Sequence, residues 1–452
     1  MQSTIQQYFE RFAFYLLLLI IFIMPLPLGS NRPWAWSIFE VLIAVCSIVC
    51  IWSLTNDSLI AGLKRHRILL SLFVGTQCYV AIQLIDISGN RISVDPAQTQ
   101  ISLLKGICYC LFICCSAWLV SSSKRIKQYS LTIIITVFLQ ALYAIYLQFS
   151  GMEYSPVFNY EIGDRANGSF VYHNHLANYL LVGGSLAIGL LISQLSRASS
   201  RDQSFKRLVI GALEALMSSK WLIRVAIITI VVGLILTRSR MGNSAFFVSL
   251  LATAIFALFI MRKPPPMLKW LIVSLVVVDV AIVGAMFGID KVKERIDTTS
   301  FEGETRDDVV EMSIPLVKDA WLTGTGAGSF YTVFPQYHTR IVHLHYDHAH
   351  NEYLQFIIEY GIVGILLLGT AVLYSLYQAA KALKQRSDPL CQGIAFGAVM
   401  AIIGMLMHIT VDFPLQAPAT TLNFIAMLVL ARLSSVRFTK RNHRYENTMA
   451  SH

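Results

Sequence analysis

Four histidines fall within eight positions of HLHYDHAHNEYLQFIIEYGIVG, residues 343–364, and a strongly apolar run follows at once. Imidazoles in such a stretch can ligate a metal, sense pH, act as a general base, or belong to a solvated polar loop. Zinc asks for three or four ligands, with His one helical turn apart or paired with Cys. His343, His345, His348 and His350 lack that spacing, and the neighbouring polar segments contain no Cys. His350 is the best placed of the four. With Asn351 it stands at the start of an apolar run that reads as a helix, where free backbone donors attract anions. A neutral imidazole there, titrating near working pH, is suited to take a proton from a hydroxyl.

Arginines form the second group. The turn LTRSRMGNS, residues 236–244, puts Arg238 and Arg240 between two apolar runs. An arginine held at a membrane edge tends to have an anionic partner. That partner is either a carboxylate of the long 289–352 connection or an anionic ligand; the remaining choice is snorkelling towards lipid headgroups. The planar guanidinium fork bonds two oxygens at once, which suits phosphate. Two more polar segments lie on the same side, GDRANGSFVYHNHLANYLL (163–181), with Arg165, His173 and His175, and VDFPLQAP (411–418).

These residues need elements to hold them, and composition says which. The chain has 452 residues, 55% hydrophobic and only 14% charged, where a soluble protein carries about 25% charged residues. The apolar residues fall in blocks of roughly 20, the length that crosses a ~30 Å hydrocarbon core as a helix. The expectation is an all-α polytopic membrane protein, a single integral membrane domain over 1–452. About twelve transmembrane helices are expected: 12–28, 34–54, 68–85, 103–121, 129–149, 172–193, 221–236, 243–261, 268–288, 353–373, 391–410 and 418–436. The first block lacks a small-residue cleavage site and is read as a span, not as a removed signal.

Most of the Lys and Arg gather on one side if both termini are cytoplasmic, and the acids on the other, so this orientation is expected. The net charge of +10 then reflects topology and anionic lipid contact, not nucleic-acid binding. The 289–352 connection falls on the outer side and is long enough to carry function. Val309, Met312, Leu316 and Trp321 keep roughly helical spacing within it, with Asp307 and Asp308 at the helix start, so it is partly helical. TGTGAGS (323–329) then ends the helix. Its glycines can cradle phosphate with backbone N–H groups or make a tight turn, and no Gly-Lys-Ser/Thr follows. None of the eight Cys falls in the long connection, so no disulfide framework is implied. CYCLFICC (108–115) can be a metal or redox cluster, though small apolar residues filling a bundle is the plainer reading.

His350-Asn351, nine residues, Gly361, two residues and Gly364 together resemble the signature of the O-antigen ligase superfamily. That group includes lipopolysaccharide O-antigen ligases, polysaccharide polymerases and protein O-oligosaccharyltransferases. GSFVYHNHLANYLL, TRSRMG, ETRDD, LTGTGAGSF and HAHNEYLQFIIEYGIVG occur in a similar order, and PLPLGSNRPWAW resembles the family's opening. The resemblance implies a metal-independent inverting glycosyltransferase, without a cofactor, in the bacterial inner membrane. It takes a glycan from an undecaprenyl-diphosphate-linked donor to an acceptor hydroxyl at the periplasmic face, here a lipid A–core glycolipid, with a growing glycan or a protein as alternatives. By motif position, Arg240 and Arg306 would bind the diphosphate and His350 would serve as base or orient the acceptor. Arg238 and Arg165 are further candidates for the anionic pocket, with Asn351, His348 and His175 in support. The reading from another class is a transporter of lipid-linked glycans. Transporters place ionisable groups at the midplane; here the acids Glu40 and Asp279 lie well inside spans, while Arg and His crowd the outer edge.

Overall fold

The computed structural model describes residues 4–87, 89–195, 219–262, 264, 268, 305–337 and 346–436. Thirteen α-helices occur among them. In chain order they are α1 (Thr4–Ile23), α2 (Pro33–Ser53), α3 (Asn56–Gln83), α4 (Pro96–Leu119), α5 (Ser123–Phe149), α6 (His173–Leu195) and α7 (Ser219–Leu236). Then follow α8 (Arg240–Ile260), α9 (Thr305–Ala320), the single turn α10 (Phe330–Val333), α11 (Glu352–Gln385), α12 (Pro389–His408) and α13 (Pro418–Ser435). One short ribbon, Asp86–Ile87 paired with Asn90–Arg91, is the only strand pairing among the described residues besides an isolated bridge.

Eight helices, α1, α2, α4, α5, α6, α8, α11 and α12, are long and apolar enough to cross a membrane. The chain is therefore an all-α, multi-pass membrane protein. Eleven of the expected spans overlap a described helix; the twelfth, 268–288 with Asp279, lies outside the described residues apart from Leu268.

Helix starts follow from local chemistry. Thr55, Asp95, Ser122, Ser239, Asn351 and Asp388 each accept a hydrogen bond on the side chain from a backbone N–H of the first turn, satisfying a donor the helix leaves open. Thr55 starts α3 some twelve residues ahead of the expected span 68–85. The basic run LKRHR lies inside the helix and not in a connection, because Lys and Arg are good helix formers and a cap stands upstream.

The centre of the bundle is α6, whose residues are nearly all buried, packed on α12 and α13. Backbone approaches backbone here. A Cβ on Gly189 would overlap the Gly393 carbonyl and one on Gly393 the Gly189 carbonyl, while Gly397 lies against the Ser185 carbonyl. Helix association within lipid depends on such small-residue contact, since burial against lipid tails adds little. Gly393→Leu is accordingly expected to cost at least the ~1–3 kcal/mol typical of overpacking. Thermal unfolding in detergent reads this directly, and an unchanged melting temperature would refute the close contact.

Helix α11 is interrupted. Gly361 adopts φ 60°, ψ −171°, which separates residues 352–360 from the remaining run. The gap receives the 321–328 loop. Thr325 N donates to Ile358 O at 2.8 Å, Gly326 N to Glu359 O at 3.1 Å, and Ile362 N to Trp321 O at 2.8 Å. Gln83 Nε2 donates to Thr323 O and Glu359 O, and Ala327 N donates to Gln83 Oε1. The glycine-rich stretch thus uses its N–H groups on the protein's own carbonyls. It is a tight turn, and the phosphate-cradle alternative has too few free donors.

The expected helix after Asp307 is present as α9. Val309, Met312 and Leu316 are buried in a small second core with Phe330, Val333, Phe334, Ala349 and Ile358. Trp321 lies past the end of α9 and is half exposed, at 51%. This second core grips Ala349, between His348 and His350, and so fixes the approach to α11.

Candidate functional site

Three connections meet at one end of the bundle, and Phe413 is their hub. The α12–α13 turn carries it. The His350 ring stands edge-on to Phe413 at 4.8 Å, and His348 lies against it at 4.4 Å. His175 is edge-on at 5.1 Å, and Tyr172 stacks at 5.5 Å with an interplanar angle of 8°. Three imidazoles and a phenol from two distant segments therefore share one aromatic ring.

Local structure explains the placement. Asn351 caps α11 by accepting from Leu354 N at 3.1 Å, and Glu352 N donates to Ile409 O at 3.0 Å. The start of α11 is thereby tied to the turn that bears Phe413. His350 itself has φ 51°, a left-handed conformation that is costly for a non-glycine residue and held only where the surroundings enforce it. On the other side, Asn174 donates to Asp412, and Asn178 pairs with His408 Nδ1 at 3.0 Å. The stretch leading into α6 is anchored from below: Ser169 Oγ donates to Pro25 O at 2.6 Å, and Gly29 packs against the Phe170 ring. The PLPLGS segment thus helps hold Tyr172 and His175 in position.

The histidines differ in environment. Gln355 and Phe413 cover the His348 ring. Loss of water pushes its pKa from 6.5 down to about 4, against the opposing pull of Asp347 and the Gln355 hydrogen bond, with Lys105 adding to the fall. His348 is neutral at ordinary pH. Between about pH 6.5 and 4 the unfolded imidazole binds a proton that the folded one does not, so acidification through this window destabilises the fold. The loss from this residue reaches up to about 1.4 kcal/mol per pH unit. His348→Asn should flatten the fall in melting temperature between pH 7 and 5; an unaltered slope would refute this. His175 is buried, and its Nε2 has no hydrogen-bond partner among the described residues. Buried polar atoms are normally satisfied, so this nitrogen is suited to a polar group of a bound molecule.

The arginines approach from the side. Arg238 pairs with Asp164 at 3.2 Å, both side chains well exposed. Among the described residues its carboxylate partner comes from the 163–172 segment, where the sequence offered the 289–352 connection or an anionic ligand; Ala166 N donating to Leu236 O at 3.1 Å holds the two segments together. Arg165 donates to His173 Nε2 at 3.1 Å, and the His173 ring lies 4.6 Å from Tyr172. A chain of contacts therefore joins Arg238 and Arg165 to the Phe413 cluster. Arg240 is exposed as the first residue of α8. Two residues on, a Cβ at Gly242 would lie 2.7 Å from Ala177 Cβ, so the start of α8 packs on the first turns of α6, which carry His175. Arg306 lies in α9, and its side chain is outside the described residues, as are His338, His343 and His345.

The sequence pointed to His350, His348, His175, Arg165 and Arg238, and the fold brings these into one neighbourhood. It did not single out Phe413, Tyr172, Asp412 or Asn174. VDFPLQAP stood out as polar, but the phenylalanine within it carried no polar signal.

A comparison with curated proteins finds no match. Residues 225–369 match the family model described as O-antigen ligase, a stretch holding Arg238, Arg240, Arg306, His348, His350 and Asn351 but neither His175 nor Phe413. The match is confined to that stretch and supports the resemblance to the O-antigen ligase superfamily that the motifs carry.

Proposed function

We propose that the chain is an O-antigen ligase-type glycosyltransferase of the inner membrane. In this reading it transfers a glycan from undecaprenyl diphosphate to a hydroxyl of lipid A–core, with its site on the periplasmic face and both termini in the cytoplasm. The twelve-span topology, with 289–352 as a periplasmic connection of a single membrane domain, belongs to the same reading. The observation that carries it is the meeting of His350, His348 and His175 at Phe413, next to segments bearing arginines.

The chemistry is a displacement at the anomeric carbon. His350 accepts the proton of the acceptor hydroxyl, and the new glycosidic bond forms as the bond to the diphosphate oxygen breaks, with inversion. Undecaprenyl diphosphate departs with its charge met by Arg240 and Arg306, with Arg238 and Arg165 further out. Fixed cations aimed at developing charge are the largest single contribution in many enzymes, and a neutralised diphosphate leaves without a strong general acid. His175 and His348 would hold acceptor hydroxyls, and Asn351 fixes the helix start behind His350. Apolar spans would take the polyprenyl chain.

The test uses purified protein, a lipid-diphosphate-linked glycan and three acceptors in parallel: lipid A–core, a growing glycan and a pilin-like protein. Product only with lipid A–core supports the ligase reading, and product only with either other acceptor reassigns the acceptor. No product with any of the three overturns glycan transfer. Activity lost in EDTA and restored by a divalent ion would overturn metal independence.

A further inference from the structure

A second cluster lies within the bundle, far along the chain from the Phe413 site. Cys46 and Cys50 stand one turn apart on α2, and Cys115 faces them from α4. The three Sγ atoms all lie within 4.8 Å of one another, and each residue is 0% exposed. Of CYCLFICC only Cys115 joins this group; Cys108, Cys110 and Cys114 belong to no such cluster among the described residues. We propose that Cys46, Cys50 and Cys115 form a three-sulfur site for a soft monovalent cation, copper(I).

The geometry suits three-coordination. Metal–sulfur bonds of about 2.3 Å, the length found for zinc thiolates, set three sulfurs around an ion about 4 Å apart. The existing separations need only small rotations of the side chains to reach this. Ligand softness then selects the ion: sulfur donors favour copper(I), whereas carboxylate and carbonyl oxygens suit magnesium and calcium. Structural zinc sites close with four protein ligands, and here three sulfurs converge.

Cysteine binds metal as thiolate, so binding releases the thiol protons and changes no oxidation state. The surroundings supply the remaining contacts. Cys46 Sγ donates to Ala13 O at 3.5 Å, and Ser47 Oγ lies 3.2 Å from Cys115 Sγ. Ser47 spends its hydroxyl on Ile43 O at 2.8 Å, and rotation of that hydroxyl would offer a donor to a Cys115 thiolate. A bound ion would pin α2 to α4 beside α1, independently of glycan transfer.

The experiment expresses the full chain with copper supplementation and purifies it anaerobically in detergent with a reductant. Metal per chain is measured by mass spectrometry. About one copper per wild-type chain is expected, falling at least tenfold in C46S/C50S/C115S and unchanged in C78S/C114S, which removes Cys78, exposed on α3, and Cys114 of α4. X-ray absorption of the wild type should show sulfur alone around copper(I). Circular dichroism and size exclusion verify that the triple variant is folded; if it is not, C46S/C115S takes its place. Equal copper in the wild type and the folded variant, or copper in neither, overturns the site. Zinc in place of copper overturns the choice of ion.

Discussion

His350→Ala is expected to lower glycan transfer by about 10²–10⁴-fold, the range contributed by a positioned general base, with the folded protein retained. The imidazole stands against Phe413 just ahead of the Asn351 cap, so truncation removes the base without touching the helix start. The residue's φ of 51° complicates the alanine variant, because alanine enters the left-handed region less readily than His or Asn. His350→Asn gives a second test: Asn tolerates this backbone, keeps a polar side chain and cannot accept the proton. Both variants should keep the wild-type elution profile and melting temperature within a few degrees while losing transfer to lipid A–core. Full transfer by His350→Asn would remove the base assignment, even with the rest of the site unchanged.

Arg240→Ala should reduce transfer by about 10²–10³-fold, the loss seen when one donor to a developing negative charge is deleted. Arg306→Ala is expected to match it. Lysine at either position should restore only part of the activity, because a point charge lacks the two-pronged bond to phosphate oxygens. Arg238→Ala provides the contrast. Arg238 is engaged with Asp164 in an exposed pair, and such pairs contribute about 0–1 kcal/mol, so its loss should be mild. Initial rates at saturating donor and acceptor separate these cases. If Arg238→Ala fell as far as Arg240→Ala, the diphosphate would have to lie nearer Asp164 than proposed.

Much of this was legible in the linear order of residues. Apolar blocks placed the helices because a membrane span is a local property, set by 1.5 Å of rise per residue against a fixed thickness. The helix start at Asn351 was readable for the same reason, since an N-cap side chain and the N–H it accepts from lie within three residues, whereas the caps at Thr55 and Ser239 went unread. The histidines and arginines announced themselves by being polar where little else is. The length of α3 was misjudged because hydropathy marks the apolar part of a helix and not its capped, basic start.

The break at Gly361 was visible only as a glycine. Its meaning came from the loop that fills the gap, whose partners at Gln83 lie 240 and more positions away in sequence. Arg238 shows the same limit: an anionic partner was expected from its position, yet which carboxylate reaches it depends on how the 163–172 segment crosses the α7–α8 turn.

The sequence by itself determined that this chain is helical and membrane-embedded, and which imidazoles and guanidinium groups stand at helix ends, because these are consequences of composition and near-neighbour chemistry. Only the tertiary structure decided that His175 and His350 share Phe413, and that Cys115 meets Cys46 and Cys50. Such meetings depend on the crossing angles and close approach of helices far apart in the chain, and those are fixed by packing of whole faces, not by any local pattern.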